Sequence, residues 1–167
     1  ASIQIMHKLE YYIRYKNTFI YETYLDTLDR DPLRISFSQF RFSSHKIENE
    51  FGRFNNIARE KRLCKLCNRK DVETEYHFSL ICSTFTHLRI KYLESLVTSY
   101  PSVHKFVNLC PQKTWKLVNL GKFVNEAFKL RSWLIMVDWT TWSMSPNLHI
   151  HIVYCVDCVH IVGSRHD

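Results

Sequence analysis

Apolar residues in the first part of the chain recur at intervals of three and four, which is the spacing of one face of an α-helix. Over residues 3–29 they form a broad stripe that predicts one long helix. Pro32 should end this helix, because proline disfavours helical geometry at the preceding residue. A second helix is predicted from Ser36 to about Phe51, with Phe51 on its apolar side and Gly52 as its C-terminal cap.

The helical pattern continues through the middle of the chain and then changes. A short helix is predicted over residues 73–81, a longer one over 83–100, and a strongly amphipathic one over 112–137 that would close the core. Trp115 is predicted to lie on the apolar face of this last helix. After residue 137 the pattern is different, and residues 149–160 alternate apolar and polar positions in the manner of a strand. The pattern therefore predicts helices followed by a tail of different character.

Three cysteines and one histidine lie within nineteen residues at spacings that a tetrahedral metal ion accepts. Cys64 and Cys67 form a Cys-x-x-Cys turn, in which the two intervening residues let both sulfurs face one point. His77 and Cys82 are five positions apart, which fits the last turn of a short helix and the residue after it. These four residues predict a Cys3His zinc site of the zinc-knuckle kind.

Other interpretations of these residues remain open. A redox Cys-x-x-Cys should follow a strand and begin a helix, whereas Cys64 and Cys67 lie in a polar run. The four could be unrelated buried residues, although free cysteines beside six lysines and arginines in residues 59–70 are poor core candidates. Glu73, one turn before His77, either fixes the metal-binding tautomer of the imidazole or only complements the helix dipole.

A second group of cysteines and histidines lies in the strand-like tail. It ends in another Cys-x-x-Cys, which is compatible with a second metal site. An alternating strand with a chance Cys-x-x-Cys fits equally well, and the tail could be extra sequence that does not pack. The candidate ligands are His149, His151, Cys155, Cys158 and His160.

The predicted fold class is mainly α, a small helical domain organised around the Cys3His zinc knuckle, with room for a short β-hairpin in the C-terminal tail. Four segments follow from the pattern and the motif. They are an N-terminal helical segment (1–52), the zinc-knuckle region (53–100), a C-terminal helix (101–137) and a tail without an assigned structure (138–167).

Positive charge is concentrated before and within the knuckle. Of the net +7, residues 1–70 contribute 14 Lys and Arg against 8 acids, and residues 71–167 contribute 9 against 8. Such a basic patch predicts phosphate contacts, whereas a surface kept for solubility is the alternative. The candidate nucleic-acid contacts are Arg59, Lys61, Arg62, Lys65, Arg69 and Lys70 on phosphates, with Tyr76 or Phe78 for base stacking.

The order of these motifs resembles that of a known family. Arg62-x-Cys-x-x-Cys, then Glu73-x-Glu-x-His-Phe, then Cys82 and Leu88-Arg89 look like the zinc-binding region near the C-terminus of reverse transcriptases from non-LTR (LINE-like) retrotransposons. The likeness covers about residues 7–131. It implies binding of the element's RNA or of target DNA during target-primed reverse transcription, with the remainder of a reverse transcriptase as a further partner.

Catalytic and targeting signals do not accompany the site. The sequence lacks the zinc-deaminase, HExxH, phosphate-loop and GxSxG signatures, and the polymerase aspartate pair of the resembled proteins, so we expect no enzyme activity. We find no signal peptide, no apolar run of membrane-spanning length and too few cysteines for a disulfide scaffold. These features predict an intracellular protein of the nucleus or cytoplasm.

Two functions are consistent with the sequence. In the first, the chain is a zinc-stabilised module that binds RNA or DNA, and the Zn²⁺ is structural because four protein ligands close its coordination. In the second, the same knuckle staples a helical protein-interaction domain that has no direct contact with nucleic acid, and the basic residues only solvate the surface.

Overall fold

The computed structural model of the chain describes residues 8–16, 21–110, 115–143, 150–154 and 159–163. The chain forms two compact units, Ala1–Arg131 and Ser132–Asp167. In the described part of the first unit all regular elements are helical, apart from one isolated β-bridge between Leu63 and Val72. The predicted fold class, mainly α, is confirmed.

Short helices build most of the first unit, and one long helix follows them. Turns of 3₁₀-helix occur at Arg59–Lys61 and Ser83–Phe85, and a π-helical turn at His77–Ile81. The α-helices are α1 (Tyr12–Tyr15), α2 (Tyr24–Thr27), α3 (Asp31–Arg41), α4 (Glu48–Phe54), α5 (Thr86–Tyr92), α6 (Ser95–Thr98), α7 (Val103–Leu109) and α8 (Trp115–Ser143).

Three predicted helices are shorter in the structure than the sequence pattern indicates. Within the predicted helix over 3–29, the backbone is extended at Lys16, so the described residues form α1 and α2 instead. The predicted helix from Ser36 to Phe51 is interrupted between α3 and α4, where Ser43 has a positive φ of 47°. The predicted helix over 83–100 is likewise divided into a 3₁₀ turn, α5 and α6.

Pro32 and Gly52 have roles other than the predicted ones. Pro32 lies in the first turn of α3, where its missing N–H removes no helical hydrogen bond. Gly52 lies inside α4, and a Cβ at this position would be 2.5 Å from Cγ of Arg62. Glycine is therefore needed because the arginine side chain crosses the helix at this point.

Aromatic side chains dominate the core of the first unit. The rings of Phe78 and Phe85 are 4.7 Å apart, and that of Phe128 is 5.3 Å from Phe78. Tilted and edge-on ring pairs of this kind add to the free energy gained by burying their area. The fully buried phenylalanines are Phe37, Phe78, Phe85, Phe106 and Phe123.

The long helix α8 supplies one wall of this core. Its buried side chains recur at intervals of three and four, as the amphipathic pattern over 112–137 indicates. Trp115 was expected on the apolar face but is 58% exposed. The buried apolar side chains of α8 are Leu117, Leu120, Phe123, Val124 and Ala127.

A buried arginine occupies the next position of the stripe. Arg131 Nε and Nη2 donate to the two carboxylate oxygens of Glu73 at 2.9 and 2.7 Å, and Nη2 also donates to Glu48 at 3.1 Å. Burial disfavours the charge, but the hydrogen bonds and charges of both carboxylates outweigh it and raise the pKa of Arg131. The guanidinium thus connects α8 to the knuckle region and to α4.

The second unit contains an antiparallel hairpin. Strand β1 (Ile150–Tyr154) pairs with β2 (Val159–Gly163), and Ile152 lies opposite Ile161. This hairpin lies in the tail for which the sequence left room for one. Within the described residues, no helix combines the length and the apolar character needed to cross a membrane.

Replacing Arg131 by methionine tests the importance of the buried ion pair. We expect Arg131→Met to lower the free energy of unfolding by about 3–5 kcal/mol, because Glu73 and Glu48 would stay buried without their partner. Lys116→Met is the matched control on α8, since the Lys116–Glu94 pair is more than one-third exposed and should contribute no more than about 1 kcal/mol.

Urea unfolding of the metal-loaded protein measures both variants. The double variant Arg131→Met/Glu73→Gln should recover part of the loss, because it also removes the unpaired charge. An Arg131→Met protein as stable as Lys116→Met would show that the buried pair does not hold α8 in place.

Candidate metal centre

The Cys-x-x-Cys lies in a tight loop whose base is fixed by backbone hydrogen bonds. Leu63 and Val72 form the isolated antiparallel bridge, and the Cys64 N–H donates to the Asp71 carbonyl at 2.9 Å. Lys70 adopts a left-handed conformation, with φ of 56°, where the chain reverses. The loop is thus closed on itself, and this closure positions its two cysteine side chains.

The other two predicted ligands are positioned by the π-helical turn. His77 begins the turn and Cys82 directly follows it, and the Cys82 N–H donates to the His77 carbonyl at 2.8 Å. In an α-helix, residues five apart point about 140° away from each other. A π turn is wider, with hydrogen bonds from residue i+5 to residue i, so it brings Cys82 back to the same side as His77. This local distortion therefore lets both side chains face one point.

The structure brings all four predicted ligands together. Their ligand atoms lie within 4.8 Å of one another. Cys64 Sγ is 3.8 Å from Cys82 Sγ, and Cys67 Sγ is 3.4 Å from His77 Nε2. With metal–sulfur bonds of about 2.3 Å, a tetrahedral site places two sulfurs about 3.8 Å apart and a sulfur and a nitrogen about 3.5 Å apart. These spacings fit, so the cluster could hold a metal ion.

Hydrogen bonding distinguishes the two buried sulfurs. A hydrogen bond from Cys64 lowers the pKa of Cys82 to about 4, with His77 and Thr84 contributing in the same direction. The same hydrogen bond, together with burial, raises the pKa of Cys64 far above its ordinary value. Both sulfurs must be thiolates to act as ligands, so metal binding would release the proton of this hydrogen bond.

Asp71, and not Glu73, is the carboxylate beside the histidine. Its Oδ2 lies 3.7 Å from His77 Nδ1 and accepts a hydrogen bond from Arg69 at 3.0 Å. A carboxylate at Nδ1 favours the tautomer that leaves Nε2 free to bind metal. Glu73 instead binds Arg131, so of its two alternative roles it does not take that of fixing the tautomer. Asp71 was missed because only the closed loop brings it next to the π turn.

Two further hydrogen bonds fix the chain around Cys82. The Thr84 hydroxyl donates to the Leu66 carbonyl at 2.7 Å, which connects the Cys-x-x-Cys loop to the chain after Cys82. Arg89 Nη2 donates to the Cys82 carbonyl at 2.7 Å. In the sequence, Arg89 was noted only as part of the Leu88-Arg89 pair that resembles the family. The spacing of Arg89 from Cys82 did not indicate this contact.

Most of the predicted phosphate-binding cations interact with the chain itself. Lys61 and Lys70 are exposed, and Lys65 and Arg69 keep more than half of their side-chain surface exposed despite their ion pairs. The observed partners are Glu10 for Arg59, the carbonyls of Ile57 and Asn49 for Arg62, Glu48 for Lys65 and Asp71 for Arg69.

The two predicted stacking residues differ in accessibility. Phe78 is completely buried, so the prediction that its ring can stack on a base is wrong. Phe78 was selected as a stacking residue because it follows His77 directly. The sequence did not show that the π-helical turn directs the Phe78 ring into the core. Tyr76 is half-buried, and its ring centroid lies 6.0 Å from that of Phe106.

The predicted second group of ligands lies beyond what the structure describes. His149, Cys155 and Cys158 are outside the described residues. His151 lies in β1 and His160 in β2, but only their backbone is described. The second metal site therefore stays a prediction.

Fold and site together define the chain as a helical protein with a candidate Cys3His metal centre. No family model, curated protein or solved structure matches it. Conclusions about function therefore rest on the chemistry and the surroundings of the site.

Substituting one ligand tests the centre, and a buried cysteine outside it serves as the control. We expect Cys82→Ser to lose one equivalent of bound metal relative to the unsubstituted chain, because a hydroxyl replaces a buried thiolate ligand. Cys110→Ser should keep it, since Cys110 is equally buried but lies outside the cluster. Elemental analysis of the purified proteins measures the metal content. Equal contents in the two variants would contradict the assignment of Cys82 as a ligand.

Proposed function

We propose that the chain is a zinc-stabilised module that binds single-stranded RNA or DNA and has no catalytic role of its own. Three sulfurs and one imidazole at tetrahedral spacings are a donor set that suits Zn²⁺. Four protein ligands would leave no coordination position for water or substrate, so the zinc is structural. Its binding free energy would then contribute directly to folding.

Exposed positive charge on the knuckle loop is the observation that supports nucleic acid as the ligand. Lys70 and Arg69 lie in the turn of the loop, and Lys65 lies between its two cysteines. The Arg69–Asp71 pair is exposed on both sides, and such pairs are weak enough to exchange one anion for another. The Lys65 side chain is also more than half exposed, although its partner Glu48 is buried. Phosphates that replace the carboxylates would add the free energy of counterion release.

The order of motifs adds support from a second direction. The arrangement of the knuckle resembles the zinc-binding region of non-LTR retrotransposon reverse transcriptases, which implies RNA of the element or target DNA as the ligand. In that setting the remainder of a reverse transcriptase would supply the catalytic residues, and this chain would supply contacts to the nucleic acid.

One observation favours the alternative function, a zinc-stapled domain that binds another protein. The Arg62 side chain packs over Gly52 and donates to two backbone carbonyls, and Arg59 forms an ion pair with Glu10. These two arginines therefore serve the fold and are poor phosphate ligands. The proposal depends on the cations that remain exposed.

Binding of a labelled single-stranded oligonucleotide at several salt concentrations tests the proposal. We expect the affinity to fall steeply with salt. Lys61→Gln/Lys70→Gln should reduce the slope of log K against log salt by about 1.4, because each phosphate contact on a single strand contributes about 0.7. Lys91→Gln/Lys129→Gln removes the same charge from exposed positions on α5 and α8 and should leave the slope nearly unchanged.

Identical slopes in the two double variants would mean that the knuckle loop does not contact phosphates. Absence of binding at low salt would leave the protein-interaction alternative in place. In the same preparations, metal analysis should identify the bound ion as zinc.

A further inference from the structure

Two phenylalanine rings at the end of α4 are exposed beside the knuckle loop. Phe54 is 82% exposed and Phe51 is 45% exposed. The sequence pattern placed Phe51 on the apolar side of one continuous helix, but the interruption before α4 turns it to the surface. Large aromatic side chains that face solvent on neighbouring turns of a helix mark a candidate interaction surface.

These rings border a cleft of about 300 Å³, and its other lining residues are all polar: three cationic side chains, one carboxylate, two serines and one histidine. Lys8 and Lys46 line the cleft and are exposed, and Arg53 lines it with about one-third of its side chain exposed. Among the described residues that line it, Glu50 is the one carboxylate, and it accepts a hydrogen bond from Arg53 at 2.8 Å. The cleft therefore carries net positive charge next to two aromatic faces.

The cleft is connected to the knuckle loop through one lysine. Lys65, between the two loop cysteines, has its Nζ 5.8 Å from the centroid of the Phe51 ring. An ammonium group over an aromatic face is an attractive contact. The two rings, the cations of the cleft and this one lysine of the loop thus form one surface, which we call the α4 surface: Lys8, Lys46, Phe51, Arg53, Phe54 and Lys65.

We propose that the α4 surface binds a single-stranded nucleic acid, with bases stacked on Phe51 and Phe54 and phosphates against Lys8 and Lys46. This inference rests on the proposed function. It assigns base stacking to Phe51 and Phe54, because the buried Phe78 cannot stack on a base. Aromatic rings alternating with cations match the alternation of bases and phosphates along a strand. An apolar peptide would bury the rings but would leave the surrounding cations without anionic partners, so the charge favours nucleic acid.

The test replaces the exposed ring and keeps an apolar side chain of similar size. We expect Phe54→Leu to weaken binding of a single-stranded oligonucleotide by about 5-fold or more, since one lost base stack corresponds to that factor at least. The salt slope should stay the same, because no cation is removed. Phe54→Trp should bind at least as tightly as the unsubstituted chain, since the larger ring still stacks.

Tyr100→Leu is the matched control. Tyr100 is also 82% exposed and also lies near a lysine, with Lys105 Nζ 5.9 Å from its ring centroid, but it is not part of the α4 surface. We expect this variant to bind like the unsubstituted chain. Thermal unfolding of each variant checks that the surface substitutions leave the fold intact.

An abasic oligonucleotide of the same length separates stacking from charge. It presents the same phosphates without bases, so the unsubstituted chain should bind it more weakly. Phe54→Leu should reduce that difference without abolishing it, because the Phe51 ring still stacks. Lys8→Gln/Lys46→Gln should instead lower the salt slope by about 1.4 and preserve the preference for bases.

The outcomes distinguish this inference from the proposed function. Salt-dependent binding that Phe54→Leu leaves unchanged, or that Tyr100→Leu weakens equally, overturns the inference alone. No binding by the unsubstituted chain at low salt overturns both.

Discussion

Ten consecutive residues, 73–82, serve the metal centre and the hydrophobic core at the same time, and the first unit depends on how this segment is held. His77 and Cys82 face the cluster of ligands, whereas Phe78 between them is completely buried among the core rings. The π turn gives both sets of side chains one common backbone. Metal ligation and core packing therefore cannot change independently. This coupling explains how a small site could order a domain that is built mainly from short helices.

Buried carboxylates fix the beginning of the same segment. Glu73 binds Arg131 of α8, and Glu75 accepts a hydrogen bond from Ser43 at 2.7 Å and contacts His45 at 3.1 Å. Burial opposes ionisation of Glu75, but the hydrogen bond and charge of His45 outweigh it and lower the pKa of that carboxyl. Buried pairs of this kind add little net stability, but any alternative packing of the segment that separates the partners costs free energy, because it leaves a buried charge unpaired. The two carboxylates therefore fix how residues 73–82 pack on α8 and on the turn before α4.

Local chemistry was predictable from the sequence, and the features set by distant contacts were not. The Cys-x-x-Cys and the His–Cys spacing need only a turn and a helical turn, so the ligand set could be inferred without the fold. At the interruption before α4, Ser43 donates a hydrogen bond to Glu75, which lies thirty-two residues away in the sequence. The apolar stripe continues through this position, so the sequence pattern does not indicate the interruption. Phe51 was consequently assigned to the core, although the structure exposes it. For Glu73 the sequence indicated only local partners, the nearby histidine or the helix dipole, because its actual partner, Arg131, lies fifty-eight residues away.

Amide hydrogen exchange of the full chain, with and without its metal, tests the coupling of metal and core most directly. In the metal-loaded protein we expect the buried segment 73–82 to be strongly protected. After removal of the metal by a chelator, its amides should exchange rapidly, and added Zn²⁺ should restore their protection. Equal protection of residues 73–82 in the loaded and stripped proteins would contradict the account, because the core would then hold this segment without the metal.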